Sequence, residues 1–370
     1  MILIGLFFVG GCARKNADIT INVITPSSTP PDARLFIVGN HELLGNWSPG
    51  SKALERKSDS LWSATFTFPR DFYLEFKITR GSWNSQAIYR RGEIPPNITL
   101  TVSNDTVIKL TPVDWQDIDF KSGGGIVGVV EYHRNFRGND LNYPRDIIVW
   151  LPPSYRKDST MRYPVLYMHD GQNIIDPSTS FIGYDWHVDE VSDSLIRTGR
   201  MKEIIVVGIY NTPDRRDEYG NTRLGHAYMN FIITMLKPFI DTTYRTLRDR
   251  ENTATMGSSM GGMISFLIVW NYPNIFSQAG CISPAFFGGI IDSVREYTGS
   301  NKEIRIYIDN GGIGLEEELQ PGCDEMFIAL KKIGFVDGQN LLWYHEPSAE
   351  HNERAWAARL WRPLLYMFGR

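Results

Sequence analysis

Cysteine is scarce, and its scarcity excludes two kinds of stabilisation at once. Three cysteines in 370 residues make no disulfide framework. No Cys/His spacing matches a zinc site, so neither a metal nor a cofactor is expected. Cys281 and Cys323 are left for the folded part, and sequence alone does not set them within bonding distance. A surplus of charge is missing too: the formal net charge is -4, which gives no electrostatic reason to expect nucleic acid as a partner. The apolar run at the N-terminus, Met1 to Cys12, is too short to cross a bilayer. Internal repeats and low-complexity tracts are absent.

Aromatic residues, by contrast, are plentiful, with 10 Trp and 17 Tyr. They suit β-sandwich cores and sugar-stacking surfaces. The length exceeds one ordinary core, so two domains are expected.

The first twelve residues differ in kind from the rest. They are apolar, end in small residues and a cysteine, and read as the end of a secretory signal. Val9-Gly10-Gly11-Cys12 resembles a bacterial lipobox, which implies a lipid-modified Cys12, a membrane anchor and an extracytoplasmic location. The basic stretch that usually precedes such a run is missing. The polar segment Ala13 to Asp18 does not continue a strand pattern.

From Ile19 to Pro112 short alternating runs are broken by Pro, Gly and Asn, as in Trp62 to Phe68 and Tyr73 to Ile78. Period-two alternation predicts a small all-β sandwich over 19–112. A linker over 113–127 follows, including Lys121-Ser-Gly-Gly-Gly125. Over 128–370, continuous apolar strands such as Pro164 to Met168 and Glu203 to Gly208 alternate with helical stretches. Such runs mean strands buried on both faces, hence an α/β fold with a mainly parallel central sheet.

Within that region, Gly257-Ser258-Ser259-Met260-Gly261 is a G-x-S-x-G turn between a β-branched strand and an apolar helix. In such a nucleophile elbow the serine hydroxyl is lifted clear of the sheet, and the next N–H points at the developing oxyanion. Ser259 is therefore the candidate nucleophile and Met260 an oxyanion donor. The second donor is expected from the loop His169-Asp-Gly-Gln-Asn173, at the N–H of Gln172. Hydrolases of this kind run Ser, acid, His along the chain. His351, after the last predicted strand, is the candidate base; His345 sits too far back, and His169 serves another loop. The acid is expected beyond the strand Ile304 to Ile308, at Glu316, with Asp309 and Glu317 as alternatives. Arg216, Glu218 and Tyr219, and also Tyr184 and Trp186, either line the pocket or brace it.

Two resemblances extend this reading. Phe36 to Asn40, Leu44-Gly-Asn-Trp47, Leu61-Trp62 and Glu75 to Arg80 resemble the starch-binding and glycogen-binding carbohydrate modules. That resemblance implies a sugar-stacking site at Trp47, Lys77 and Trp83, whereas Trp62 reads as core. Downstream, Trp83-Asn-Ser-Gln-Ala-Ile departs from the pattern of those modules. In the second half, Arg145 to Tyr155, Tyr163 to Asn173, Arg216-Asp-Glu-Tyr219, Gly257 to Gly262 and Glu350-His-Asn-Glu353 resemble the esterase D-like α/β-hydrolases. That family includes enterochelin and feruloyl esterases and mycolyltransferase relatives. The resemblance implies serine-ester chemistry on an ester substrate, with a glycan as a further partner. A non-catalytic glycan-binding lipoprotein and an acyltransferase using the same acyl-enzyme are the alternatives.

Overall fold

The structure, a computed structural model, describes residues 15–89, 97–119, 126–287, 289–299 and 302–370. Cys12 and the glycines of the expected linker, Gly123 to Gly125, lie outside these residues. The chain divides into two compact units, Met1–Gly124 and Gly125–Arg370.

The first unit is built from alternation. In β1 (Asn16–Ile24) Ala17, Ile19, Ile21 and Val23 turn inward while their neighbours face out. Strands β2 (Phe36–Gly39), β3 (Lys52–Ala53), β4 (Glu55–Arg56), β5 (Leu61–Pro69), β6 (Tyr73–Thr79), β7 (Ala87–Ile88), β8 (Ile98–Thr101) and β9 (Thr106–Leu110) follow. Two four-stranded sheets result, in the orders β4-β5-β1-β9 and β3-β2-β6-β8. β1 runs antiparallel to β5 and parallel to β9. The inward residues meet in one apolar core with Leu35, Leu44, Phe76, Trp115 and the expected Trp62. The unit ends with β10 (Asp114–Trp115), which pairs with β7, and a single helical turn, α1 (Gln116–Asp119).

The second unit centres on one eight-stranded sheet. Its strands are β11 (Val129–Phe136), β12 (Arg145–Leu151), β13 (Val165–His169), β14 (Ile205–Ile209), β15 (Thr253–Ser258), β16 (Gln278–Ile282), β17 (Arg305–Gly311) and β18 (Leu341–Glu346). Their order is β11-β12-β14-β13-β15-β16-β17-β18. β11 and β12 join the sheet antiparallel, and every pairing from β14 to β18 is parallel. Two strands escape the sequence pattern. β11 carries Glu131, His133 and Arg134 because it is an edge strand half in solvent, and β16 (QAGCI) lacks a β-branched run.

Helices cover both faces of this sheet. One face packs on α4 (Arg223–Phe231), α5 (Lys237–Thr243), α6 (Met260–Asn271), α7 (Ile290–Arg295) and α8 (Leu315–Lys332). The other packs on α2 (Val188–Arg197), α9 (Glu353–Arg359) and α10 (Trp361–Phe368). A single turn, α3 (Arg215–Glu218), stands beyond the end of β14. α6 is apolar all round and ten of its residues are buried, as befits a helix at the centre of its layer. Cys281 in β16 and Cys323 in α8 are buried free thiols. Among the described residues no helix is long and apolar enough to cross a membrane.

Candidate active site

The parallel strands all end at one edge of the sheet, and Ser259, Gln172, Glu316 and His351 follow those strand ends. β15 gives way to α6 within one residue, Ser259, whose φ of 56° and ψ of -123° lie in a region that side chains seldom occupy. The neighbouring glycines make the turn possible. A Cβ at Gly257 would stand 2.7 Å from the carbonyl carbon of Gly261, and one at Gly262 would crowd Pro284 at 3.1 Å. The elbow is tied to the next strand: the Ser259 N–H donates to the Ile282 carbonyl at 2.9 Å, and the Ala285 N–H donates back to the Ser259 carbonyl at 3.0 Å.

The histidine and the acid meet from separate elements. His351, in the loop after β18, presents Nδ1 3.2 Å from Oε1 of Glu316, the second residue of α8. The contact is bent away from an ideal hydrogen bond, as such contacts often are before substrate tightens them. Glu316 is fully buried. Burial alone would raise its carboxyl. The His351 contact, the Ser283 hydroxyl (2.5 Å) and the Gly311 N–H (3.0 Å) outweigh that and hold it below its ordinary value. Trp356 meets the His351 ring edge-on at 5.0 Å.

Asp309 stands elsewhere. β17 runs on past it to Gly311, so its carboxylate lies inside the sheet rather than beyond the strand tip. Arg359 Nε lies 3.1 Å from it and the Tyr307 hydroxyl donates to it at 3.0 Å. Burial raises its carboxyl, with Arg359 opposing. Glu317 is exposed on the same helix turn.

Ser283 links these groups, and nothing in the sequence singled it out. It sits just past β16 with φ of 41°. Its hydroxyl donates to Glu316 and accepts from Trp356 Nε1 (3.1 Å) and Arg359 Nη2 (2.6 Å). One donor and two acceptor sites are thereby all used. His169, the other buried histidine here, has both ring nitrogens occupied, by Tyr228 and Thr255, and burial pushes it down to about 3.

The loop after β13 lies beside the start of α6: a Cβ at Gly261 would stand 3.4 Å from Asp170 Oδ2. Asp170 adopts a left-handed φ of 56° and starts a 3-10 turn, Gly171–Asn173. Gly171 lies so close to β14 that a Cβ there would stand 2.5 Å from the Gly208 carbonyl carbon. Among the described residues neither the Gln172 nor the Met260 N–H has a backbone acceptor, as is usual for first-turn donors. Arg215 grips Asp170 with two bonds of 2.7 and 2.8 Å, and Asn211 adds a third of 2.7 Å. The Gln172 side chain is also anchored, accepting the Asn211 N–H at 3.1 Å.

Of the flanking polar residues, Glu218 and Tyr219 brace their surroundings. Glu218 pairs in a fully buried bidentate contact with Arg145, at 2.7 and 3.0 Å, while Arg216 is exposed. The Tyr219 hydroxyl accepts the Asp170 N–H. Trp186 is buried against Trp356, and Tyr184 packs edge-on against His187. Glu353, which opens α9, is buried 3.4 Å from Asn173 Nδ2; burial, with Asp170 adding to it, pushes its carboxyl up to about 7.

In the first unit, Trp47 and Trp83 come together. Their rings are 6.4 Å apart and inclined by 33°, and both are partly exposed. Trp47 takes a left-handed φ of 63° and Trp83 opens a 3-10 turn, so both rings are carried by turns. Lys77 lies in β6 opposite Val38, and burial pushes its ammonium down to about 8.

Comparison with known proteins adds to this geometry. The family model described as "Putative esterase" matches residues 138–367, and a starch-binding domain model matches residues 16–109. YbbA of Bacillus subtilis, an uncharacterized protein, is 22% identical over 247 residues, covering 61% of this chain and 93% of its own. An endo-1,4-beta-xylanase/feruloyl esterase of Xylanibacter ruminicola is 26% identical over 316 residues, covering 82% of this chain and 40% of its own length. Among solved structures, a ferulic acid esterase superposes with a TM-score of 0.55 at 21% identity, covering 65% of this chain and 98% of its own. An enterobactin esterase from Shigella flexneri does so with a TM-score of 0.56 at 13% identity, covering 96% of this chain and 94% of its own. At such identities the structural likeness is one of fold.

Proposed function

This chain belongs to the esterase family, and we propose that it is a carboxylic ester hydrolase working through a serine acyl-enzyme built by Ser259, His351 and Glu316. The observation that carries this reading is the His351–Glu316 contact of 3.2 Å at the sheet edge where the elbow turns. Ser259 Oγ attacks the ester carbonyl carbon while His351 Nε2 takes its proton. The carbonyl oxygen becomes an oxyanion, held by the N–H groups of Gln172 and Met260. Glu316 stabilises the imidazolium. His351 then returns the proton to the alcohol oxygen as the C–O bond breaks. Water, deprotonated by the same imidazole, releases the acid and restores Ser259.

The substrate we favour is a hydroxycinnamoyl ester of a plant polysaccharide. Support comes from the feruloyl esterase relative together with the starch-binding match, which pair ester chemistry with a glycan. Trp47, Lys77 and Trp83 form the sugar platform in this reading. Lipid modification at Cys12 and an extracytoplasmic site rest on the Val9–Cys12 motif. Labelled palmitate entering the parent but not Cys12→Ala would support the anchor; equal labelling would remove it.

Methyl ferulate, feruloylated arabinoxylan oligosaccharides and a catecholate siderophore ester, offered side by side, test the function. Release of ferulate from the first two, faster than siderophore cleavage, is expected. Preference for the siderophore ester overturns the substrate class. Turnover of none, together with no labelling of Ser259 by a fluorophosphonate, overturns the serine mechanism.

A further inference from the structure

Away from the serine, the first turn of α2 and the residues just before it gather an imidazole and three carboxylates. His187 Nδ1 lies 3.6 Å from Oδ1 of Asp185 and 3.5 Å from Oε1 of Glu190. The donor atoms of these three residues all lie within 4.8 Å of one another. Asp185 is buried, whereas a third of the His187 and Glu190 side chains remains open to solvent.

A second observation is a lack of positive charge here among the described residues. Asp189 is fully buried. Its Oδ2 accepts the Val127 N–H at 2.7 Å, but its Oδ1 has no hydrogen-bond donor among the described residues. This carboxyl meets that of Glu190, whose Oε2 is likewise buried without a donor. Two carboxylates in contact, each with a buried oxygen lacking a donor, repel each other and are poorly solvated. Among the described residues no lysine or arginine forms an ion pair with Asp185, Asp189 or Glu190; Asp185 and Glu190 pair with His187.

We propose that Asp185, His187 and Glu190 hold a divalent cation of the zinc class, with Asp189 as the buried carboxylate behind it. Tetrahedral bonds of about 2.0–2.2 Å set neighbouring donor atoms about 3.3–3.6 Å apart, which the two separations from His187 Nδ1 already match. An imidazole nitrogen with two carboxylate oxygens suits zinc better than calcium or magnesium, which favour all-oxygen shells. The solvent-facing side leaves a fourth position for water.

The ion would tether the strap that runs beside the oxyanion loop. The Trp186 N–H donates to the Asn173 carbonyl at 2.9 Å and the Val188 N–H to the Ile174 carbonyl at 3.0 Å. Holding residues 185–190 together therefore holds the turn that carries Gln172.

Calorimetric titration of the full chain, stripped with EDTA and desalted, tests the site with zinc, calcium and magnesium chloride. One equivalent of zinc, bound with a Kd on the order of micromolar or tighter, is expected to raise the melting temperature. His187→Gln and Glu190→Gln, at partly exposed positions, should each weaken zinc binding at least tenfold, with circular dichroism checking the fold. If His187→Gln unfolds, Glu190→Gln decides alone. No zinc uptake overturns the proposal and leaves Asp189 and Glu190 sharing a proton. Uptake unchanged by the folded variants overturns it as well, because the ion then sits elsewhere. Calcium bound as tightly as zinc overturns the ion class.

Discussion

The two units make their candidate sites in opposite ways. The candidate sugar platform of the β-sandwich rests on two partly exposed indoles carried by turns, with only Lys77 drawn from a strand. The candidate ester site of the hydrolase unit rests on strand ends: the elbow and the segments carrying the candidate acid, histidine and oxyanion donor follow β15, β17, β18 and β13. Behind it stands a buried polar network of Glu316, Ser283, Arg359 and Asp309. In the first unit the fold supplies a surface on which residue type decides everything. In the second the backbone dictates where chemistry can occur, and burial together with the hydrogen-bond partners of each group sets its charge.

The sharpest break of that comparison is removal of the nucleophile. Ser259→Ala should lower kcat by about 10⁴-fold or more, and His351→Ala comparably, because the pair acts as a unit. Melting temperatures should barely move. Retention of a tenth of the parent rate would remove Ser259 from its role.

Next come the two carboxylates that share the Arg359 network. Glu316→Gln should lower kcat by about 10²-fold or more, since a neutral amide stabilises the imidazolium poorly. Asp309→Asn should instead act on stability. It leaves the buried Arg359 guanidinium partly unpaired, a loss of about 3–5 kcal/mol that a denaturant melt would read. A larger kcat loss in Asp309→Asn than in Glu316→Gln would exchange their assignments.

In the sandwich the same logic predicts separable effects. Trp47→Ala should abolish retention on insoluble starch and leave turnover of a small soluble ester unchanged. The ring is partly exposed, so stability should fall far less than the loss of about 3–5 kcal/mol expected for a buried indole. A parent protein that no α-glucan retains would end the platform reading.

The smallest effect is set by Glu353. Its carboxyl is raised from 4.5 to about 7 by burial, with Asp170 adding to that. The folded chain therefore holds more protons than the unfolded one between those values, and stability falls as pH rises through the window. Glu353→Gln should raise the melting temperature by a few degrees at pH 8 and much less at pH 5. An equal change at both pH values would mean that packing, not charge, is responsible.

How far the sequence could be read follows the same division. The elbow was legible because a glycine-flanked serine between a strand and an apolar helix leaves little conformational choice, and the parallel order follows from strands with no polar face. Asp309 and Glu316 could be ranked only by guessing where β17 ends, and the strand runs three residues beyond Ile308. Ser283, Trp356 and Arg359 carried no signal. They come from a strand end and one helix, and their common hydroxyl exists only once both faces of the sheet are covered. Arg359 in particular reads as a solvent-facing helix residue, yet it is 3% exposed. Trp47 and Trp83 were named by resemblance alone, because no periodicity predicts which surface rings come together.

The buried thiols of the hydrolase unit carry a practical corollary. Cys281 lies mid-sheet and Cys323 on the inner face of α8, and burial raises both well above the ordinary thiol range. Only the thiolate attacks alkylating reagents, and it is scarce and sealed off while the fold is closed. The rate at which these two positions react therefore clocks how often the centre of the enzyme opens, and it does so with residues the chain already owns.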